Sequence, residues 1–416
     1  MRLSVLAKHV RRRDIFVFIW LVLKPIIMMA VLTLLLSRNT RKLSRLFADL
    51  YSKLWDYAEH SISHEGFNLP SSFSSGAVHR VNEHLCELYG SQYSSLSFGG
   101  SSGAMLTLLT GVFPKLYPNR DLILFDDVCH QSTIGGLIFG RWKAVRLPRE
   151  KHQGSQSVCP IKFETVKTLI EQHGPENFAA IILVLPSYDG FRSPSEDKKI
   201  YQYAKSMDIP VIVDGAWDGL RFYNPQSQTP TLASICDVWI TSPHKRGLTP
   251  SSLGCILTNN KIIAQLWDEA LDLGFRSSSV SFVEIMIAEH RLSQIQSGQW
   301  DKRFDRAFQA ANLLRARIKE IHPELQIITP ADVAAETHDP THILISTQNI
   351  LKLDAREWAL TLANDFVIDV EKATSSSLLL LCGSPAHLGR TDLIISNFRD
   401  ALATTLETQE RLSHDR

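Results

Sequence analysis

The stretch that decides the fold is VIVDGAW at residues 211–217. Its first three residues are apolar and β-branched, which is typical of a strand buried on both faces of a sheet. Asp214 follows them directly, at a position where an unpaired charge is costly unless a cation meets it. A protonated heterocyclic nitrogen could be that cation, although an aspartate that caps a helix or a turn is the simpler alternative.

Strand-sized apolar runs recur on both sides of this stretch, most of them roughly 20 to 35 residues apart. The predicted strands are 122–125, 144–147, 179–185, 211–213, 238–241 and 253–257. Such spacing requires crossover connections and therefore predicts an α/β fold with a mostly parallel sheet that is covered on both faces. Ligands of such sheets bind at the carboxyl ends of the strands.

A different pattern begins at about residue 300. A helix over 304–321 precedes short strand-like runs, and a final helix is predicted from 391 to about 406. The strand-like runs are 325–328, 342–346, 366–370 and 378–381. We therefore predict a large domain over 77–300 and a smaller C-terminal α+β domain over 301–416, which is an ordinary domain size.

The composition of the 416 residues excludes several classes of protein. A hydrophobic fraction of 44% excludes disorder as the main state, and 44 basic residues nearly cancel 43 acidic ones. The net charge of +1 leaves no electrostatic footprint for nucleic acid. The six cysteines lack the spacing of zinc ligands, so we expect no metal and free thiols in a reducing compartment.

The N-terminal arm, residues 1–42, contains an apolar run over 15–36 that is interrupted only by Lys24 and a threonine. Its length just suffices to cross a bilayer core of about 30 Å. Three interpretations remain open, namely a membrane helix, an arm buried in the fold or in a dimer, and a mis-assigned start codon. Lys24 and Pro25 at the midpoint argue against a plain span. Residues 43–76 are predicted to be a linking helix and loop.

A glycine- and serine-rich turn precedes a helix at residues 99–109, which read GGSSGAMLTLL. Small residues leave the backbone N–H groups accessible at the positive end of the helix, and this arrangement binds phosphate. A plain connection would have the same composition. The turn alone therefore favours no single function.

A lysine follows the next predicted strand after Asp214. Residues 238–245 read VWITSPHK, which places Lys245 31 residues after Asp214. A lysine at a strand end is either a solvated side chain or an amine that can form a Schiff base with a carbonyl. Together with the phosphate-type turn, the order of these elements becomes specific.

The sequence resembles the Orn/Lys/Arg decarboxylase family of fold-type-I pyridoxal-phosphate (PLP) enzymes, over roughly residues 77–289. The motifs that carry the resemblance are GSSG at 100–103, CHQS at 129–132, YDG at 188–190, DGAW at 214–217 and SPHK at 242–245. The resemblance implies the fold of aspartate aminotransferase and PLP as the cofactor.

The resemblance also implies roles around the cofactor ring. Lys245 matches the lysine that forms the Schiff base, and His244 matches its cofactor-contacting neighbour. Asp214 would pair with the pyridine nitrogen, so that the ring accepts the electrons released at Cα. His130 would stack on the ring, although a buried, hydrogen-bonded histidine is the alternative. Trp217 would shape the site beside Asp214.

The phosphate of the cofactor would be held by residues of two matched motifs. These are Ser101, Ser102, Gly103 and Ser242. Ser278 and Ser279 lie in a serine-rich segment similar to the one that reaches the phosphate of the partner subunit in the family. The resemblance therefore implies a homodimer with shared active sites.

The resemblance implies decarboxylation of a basic or modified basic amino acid, through a quinonoid intermediate with His130 or Lys245 returning the proton to Cα. Transamination or elimination at the same cofactor is the alternative, and a non-catalytic, membrane-tethered dimer is a third hypothesis. The sequence departs from the family at Gln131, where the family has lysine. Possible partners for the distal cation of the substrate are Asp189, Asp218 and Glu284.

Overall fold

The computed structural model describes residues 76–218, 235–246, 252–271, 282–299, 301–351, 353–382 and 385–414. All of them belong to one compact unit, residues 73–416. The predicted arm, its apolar run over 15–36 and nearly all of the linking segment lie outside the described residues. Within the described residues, no helix combines the length and the apolar character needed to cross a membrane.

A seven-stranded sheet is the centre of the larger part of this unit. Among the described residues, the first eight strands are β1 (Tyr93–Ser97), β2 (Leu122–Asp126), β3 (Lys143–Leu147), β4 (Phe178–Val184), β5 (Phe191–Arg192), β6 (Val211–Asp214), β7 (Val238–Thr241) and β8 (Gly254–Thr258). The order in the sheet is β1-β8-β7-β6-β4-β2-β3. The four pairings from β7 to β3 are parallel, whereas β8 runs antiparallel to both of its neighbours. The prediction of a mostly parallel α/β sheet is confirmed.

The six predicted strands match observed strands to within a residue at each end. The edge strand β1 was not predicted, because its sequence YSSLS has no continuous apolar run and its first two residues are partly exposed. It runs antiparallel to β8, which runs antiparallel to β7, so β1 and β7 point the same way. The carboxyl end of β1 therefore lies at the same edge of the sheet as those of the parallel strands.

Helices pack against the sheet and bury its apolar residues. They are α1 (Gly76–Tyr89), α2 (Gly100–Thr107), α3 (Phe113–Leu116), α4 (Gln131–Phe139), α5 (Phe163–His173), α6 (Pro194–Ser206), α7 (Lys261–Ala270) and α8 (Phe282–Gln296). A π-helical turn over Leu108–Val112 joins α2 to α3. Apolar residues of β4, β6 and β7 pack with α2 and with Trp267 of α7 in one fully buried cluster. This packing fixes the strand ends that surround the site.

A second, antiparallel sheet forms the C-terminal part. The remaining elements are α9 (Asp301–Ile321), β9 (Gln326–Ile327), β10 (Thr337–His338), β11 (His342–Ser346), α10 (Ala355–Asp365), β12 (Lys372–Ala373), β13 (Ser377–Leu381) and α11 (Thr391–His414). The sheet order is β12-β13-β11-β9, while β10 pairs with β5. Trp358 of α10 meets Phe398 of α11 edge-on, with 5.2 Å between the ring centroids. The domain boundary at residue 300 stays a prediction.

One strand prediction in this part is wrong. Residues 366–370 form no strand, and the nearest strand is β12. Phe366 caps the end of α10, and Val367 has a φ of 56°, which a β-strand does not allow. The alternating apolar residues that predicted a strand are Phe366, Ile368 and Val370. Their side chains instead pack against the C-terminal core.

Candidate active site

A cleft of about 740 Å³ lies at the carboxyl ends of the strands, where the parallel topology brings the loops together. The residues that line it are Gly99, Gly100, Ser101, Ser102, Val128, Cys129, His130, Gln131, Val184, Tyr188, Asp214, Ala216, Trp217, His244, Lys245 and Ser252. They end or follow β1, β2, β4, β6 and β7, or precede β8. Residues from the carboxyl ends of five strands and from the segment before β8 therefore meet at one edge of the sheet.

The turn before α2 is held tightly against the start of β8. Ser97 Oγ donates to the carbonyl of Gly100 at 2.9 Å, and Gly100 has a φ of +68°. A Cβ on Gly254 would lie 2.3 Å from Gly100 C and 2.5 Å from Ser101 N. Only glycine at position 254 permits this approach. The first residues of α2 thus present backbone N–H groups and the Ser101 and Ser102 side chains at the cleft, which suits a phosphate.

Asp214 is the most informative residue of the site. It ends β6 between β4 and β7, is 8% exposed, and its Oδ1 accepts the Ala216 N–H at 3.1 Å. Within the described part of the chain, no cationic side chain lies within ion-pairing distance of it. Burial raises the pKa of the carboxyl, and the Ala216 N–H, Lys245 and His130 oppose that rise. A buried carboxylate in this state fits a ligand that brings a cation, such as a protonated pyridine nitrogen.

Lys245 lies in the 3₁₀ turn Pro243–Arg246 that follows β7. Its Nζ is 4.4 Å from the centroid of the Trp217 ring, close enough for a cation–π interaction. Trp217 in turn meets Tyr188 edge-on, with 4.8 Å between the centroids. The aromatic pair forms one wall of the cleft and holds the amine within it.

Two histidines in the cleft hold their protons on opposite ring nitrogens. His130 caps α4 by accepting the Ser132 N–H on Nδ1 at 3.2 Å, so in the neutral ring the proton is on Nε2. His244 Nδ1 lies 2.9 Å from the Leu253 carbonyl and must donate to it. His130 therefore combines the capping role with an exposed ring at the cleft.

Most of the predicted site residues come together. Those that line the cleft are Ser101, Ser102, His130, Asp214, Trp217, His244 and Lys245. Gly103 and Ser242 lie just outside the lining; Ser242 is buried, and its Oγ has no hydrogen-bond partner in the described ranges. Ser278 and Ser279 lie outside the described residues.

The three acidic residues suggested as partners for a substrate cation do not line the cleft. Asp189 is buried, and its carboxylate accepts from Lys372 Nζ at 2.7 Å and from Ser157 Oγ at 3.0 Å. Its charge is therefore already matched within the chain. Asp218 and Glu284 are also buried, and neither belongs to the cleft wall.

A buried ion pair that the sequence does not predict stabilises the strand ends beside the site. Arg149 Nη1 donates to Asp126 Oδ2 at 2.6 Å, and both side chains are at most 2% exposed. Asp126 Oδ2 also accepts the Val184 N–H at 3.1 Å, which ties the end of β2 to that of β4. The sequence could have indicated the aspartate at the strand end, but not its partner 23 residues away.

A family model described as Orn/Lys/Arg decarboxylase, major domain, matches residues 58–343. The chain belongs to this family of PLP enzymes. It is 24% identical over 338 residues to an arginine decarboxylase of Bacillus cereus, a match that covers 79% of this chain and 70% of that enzyme. An arginine decarboxylase of Bacillus subtilis is 22% identical over 315 residues, which cover 74% of this chain and 61% of that enzyme.

Solved structures show the same fold. The constitutive lysine decarboxylase of Escherichia coli has a TM-score of 0.61 at 15% identity, covering 88% of this chain and 57% of that one. Cystalysin of Treponema denticola, whose structure contains pyridoxal 5'-phosphate, has a TM-score of 0.60 at 13% identity, covering 85% of this chain and 87% of that one. The predicted fold-type-I architecture is confirmed, and family and fold agree on PLP as the cofactor.

Proposed function

We propose that this family member is a PLP-dependent decarboxylase of a basic or modified basic amino acid. The observation that carries the proposal is the buried carboxylate of Asp214 beside Lys245 in one cleft. The family model and the arginine and lysine decarboxylases among the relatives support this reaction.

The residues present fit the cofactor at both ends. The N-terminus of α2 with Ser101 and Ser102 would hold the phosphate, and Asp214 would hold the ring nitrogen in its protonated form. Lys245 would hold the cofactor covalently. When bound, PLP supplies the electron sink for the bond that breaks at Cα.

The side chains of the cleft would then bind, orient and move protons. His130, with its exposed ring at the cleft, would pack on one face of the cofactor. The Nζ of Lys245 or the Nε2 of His130 would return a proton to Cα after CO₂ leaves. Trp217 and Tyr188 would limit the entry of water from their side of the cleft.

We also propose a homodimer in which Ser278 and Ser279 reach the phosphate site of the partner subunit, supported by their likeness to the family segment. Light scattering of the purified chain measures this state. The boundary at residue 300 is proposed on the change of sequence pattern. Membrane attachment through residues 15–36 is proposed on the length of the apolar run alone.

The proposal is tested with the variant Lys245→Ala and the control Lys115→Ala, an exposed lysine paired with Glu269. With PLP and a panel of amino acids, the wild type should release CO₂ and an amine in equal amounts. Lys245→Ala should lose the visible absorbance of the lysine-bound cofactor and about 10²- to 10⁴-fold of the rate, the usual contribution of a positioned proton donor. A keto acid as the product, or full activity in Lys245→Ala, would contradict the proposal.

A further inference from the structure

The aromatic wall of the cleft ends at a carboxylate from the C-terminal part of the chain. Tyr188 lines the cleft and donates its hydroxyl to Glu371 Oε1 at 2.5 Å. The Tyr188 ring packs edge-on against Trp217, and Lys245 Nζ lies over the Trp217 ring. Three consecutive contacts therefore lead from the proposed covalent lysine to Glu371.

Near Tyr188, the cationic side chain of Lys372 does not pair with the Glu371 carboxylate. The neighbouring Lys372 lies 5.6 Å from the centre of the Tyr188 ring, but its Nζ pairs with Asp189 at 2.7 Å. Glu371 is exposed, and across the described segments no cationic side chain pairs with it. Burial and the contact with Glu371 raise the pKa of Tyr188, so the phenol stays neutral and donates a hydrogen bond to the Glu371 side chain. Glu371 is not itself a lining residue, but unlike the three buried acidic residues considered above it is exposed and accepts the hydroxyl of a residue that lines the cleft. It therefore places a negative charge at the outer end of the aromatic wall.

We propose that Glu371 determines substrate specificity by accepting the distal cation of a basic amino acid. This inference rests on the proposed function and names the residue that selects the substrate class. The reacting end of the substrate lies at Lys245, and its long side chain runs along Trp217 and Tyr188. Aromatic faces attract cations as well as methylene groups, so the wall suits an alkyl chain with a charged end. Tyr188 acts as a positioning residue because its hydroxyl fixes the Glu371 carboxylate.

The expected effect follows from the exposure of Glu371. A charge-assisted hydrogen bond is about twice as strong as a neutral one, but contact with water weakens it. We therefore expect Glu371→Gln to weaken the binding of L-lysine about tenfold. Glutamine can still accept the Tyr188 hydroxyl, so the wall keeps its shape. L-Norleucine has an uncharged side chain of similar length, and its binding should not change.

The experiment titrates the PLP-loaded protein with L-lysine and L-norleucine, and with L-arginine and L-citrulline, while calorimetry records binding. Glu357→Gln, an exposed glutamate on α10 outside the cleft, is the matched control. The wild type and the control should prefer each charged ligand over its neutral analogue, and Glu371→Gln should lose that preference in either pair.

Two results overturn the inference. One is an unchanged preference in Glu371→Gln, and the other is an equal loss of affinity for charged and neutral ligands, which indicates a structural role only. CO₂ release by the wild type separates this failure from a failure of the proposed function. If the wild type decarboxylates basic amino acids while Glu371→Gln discriminates as before, only the role of Glu371 is wrong. If the loaded wild type releases no CO₂, the proposed reaction is wrong.

Discussion

The variant Asp214→Asn should have opposite effects on the cofactor-free and the cofactor-bound protein. Asparagine has the same shape and can still accept the Ala216 N–H, so the fold should persist. In the bound protein, the change removes one partner of a buried ion pair, which costs about 3–5 kcal/mol. The dissociation constant for PLP should therefore rise roughly a hundred- to several-thousand-fold.

Without the cofactor, the same variant should be more stable than the wild type at neutral pH. Burial raises the pKa of Asp214, so the folded state holds the proton more tightly than the unfolded state does. The ionised carboxylate therefore destabilises the cofactor-free fold, and a neutral amide should add about 1 kcal/mol to the free energy of unfolding. As the pH falls toward the ordinary aspartate pKa of about 3.9, the wild type becomes protonated and the difference should disappear.

Asp126 provides the matched control, because it is also a buried aspartate at a strand end. Burial raises the pKa of Asp126 as well, but Asp126→Asn would leave the buried Arg149 guanidinium without its carboxylate, so this variant should destabilise the cofactor-free protein by about 3–5 kcal/mol. Urea unfolding of the cofactor-free proteins and equilibrium dialysis of PLP measure the two effects. If Asp214→Asn destabilises the cofactor-free fold as Asp126→Asn does, or binds PLP with wild-type affinity, the reasoning about Asp214 is refuted.

Two further substitutions test the phosphate end of the site. Gly254→Ala would place a Cβ against the backbone of the turn at Gly100. We therefore expect it to lower the free energy of unfolding by at least about 3 kcal/mol through overpacking and to weaken PLP binding. In the control Gly389→Ala, the new Cβ would have nothing within 4 Å, so the urea midpoint and the PLP affinity should both stay unchanged. Ser242→Ala removes a buried hydroxyl that has no partner among the described residues, so the stability of the cofactor-free protein should not fall. The affinity for PLP, measured by dialysis, should drop about tenfold. A loss of stability without a change in affinity would assign Ser242 to the core.

The strands and the residues at their ends could be predicted from the sequence, because each is encoded locally. A run such as VIVD carries its own evidence for burial and for the position of Asp214. Parallel topology then brings these ends together, since the carboxyl ends of parallel strands share one edge. Strand β1 was not predicted, because its pairing with β8 stabilises a sequence of weak apolar character. The strand predicted over 366–370 is wrong, because Val367 has a left-handed backbone conformation and turns the chain.

Contacts between distant parts of the chain could not be predicted in the same way. Glu371 meets Tyr188 across 183 residues, and Lys372 meets Asp189 across the same separation. Sequence composition contains no signal for either pair. As a result, the sequence indicates Asp189 as a partner of the substrate. In the fold, its carboxylate instead pairs with Lys372 and so connects β12 to the loop before β5. Residues that hold a cofactor are therefore easier to recognise than those that select a substrate.

The buried aspartates of this region together explain why Asp214 indicates a ligand. Asp126 and Asp189 are fully buried, and each faces a cation from the chain, Arg149 and Lys372. In both cases folding itself places a cation beside the carboxylate, and at Asp126 this cation opposes the rise in pKa that burial causes. Asp214 is almost as deeply buried, yet no cationic side chain of the described residues forms an ion pair with it, and Lys245 acts on it only from within the same cleft. Because the same fold supplies partners to the other two, the cost at Asp214 is best explained by a cation that arrives with the cofactor.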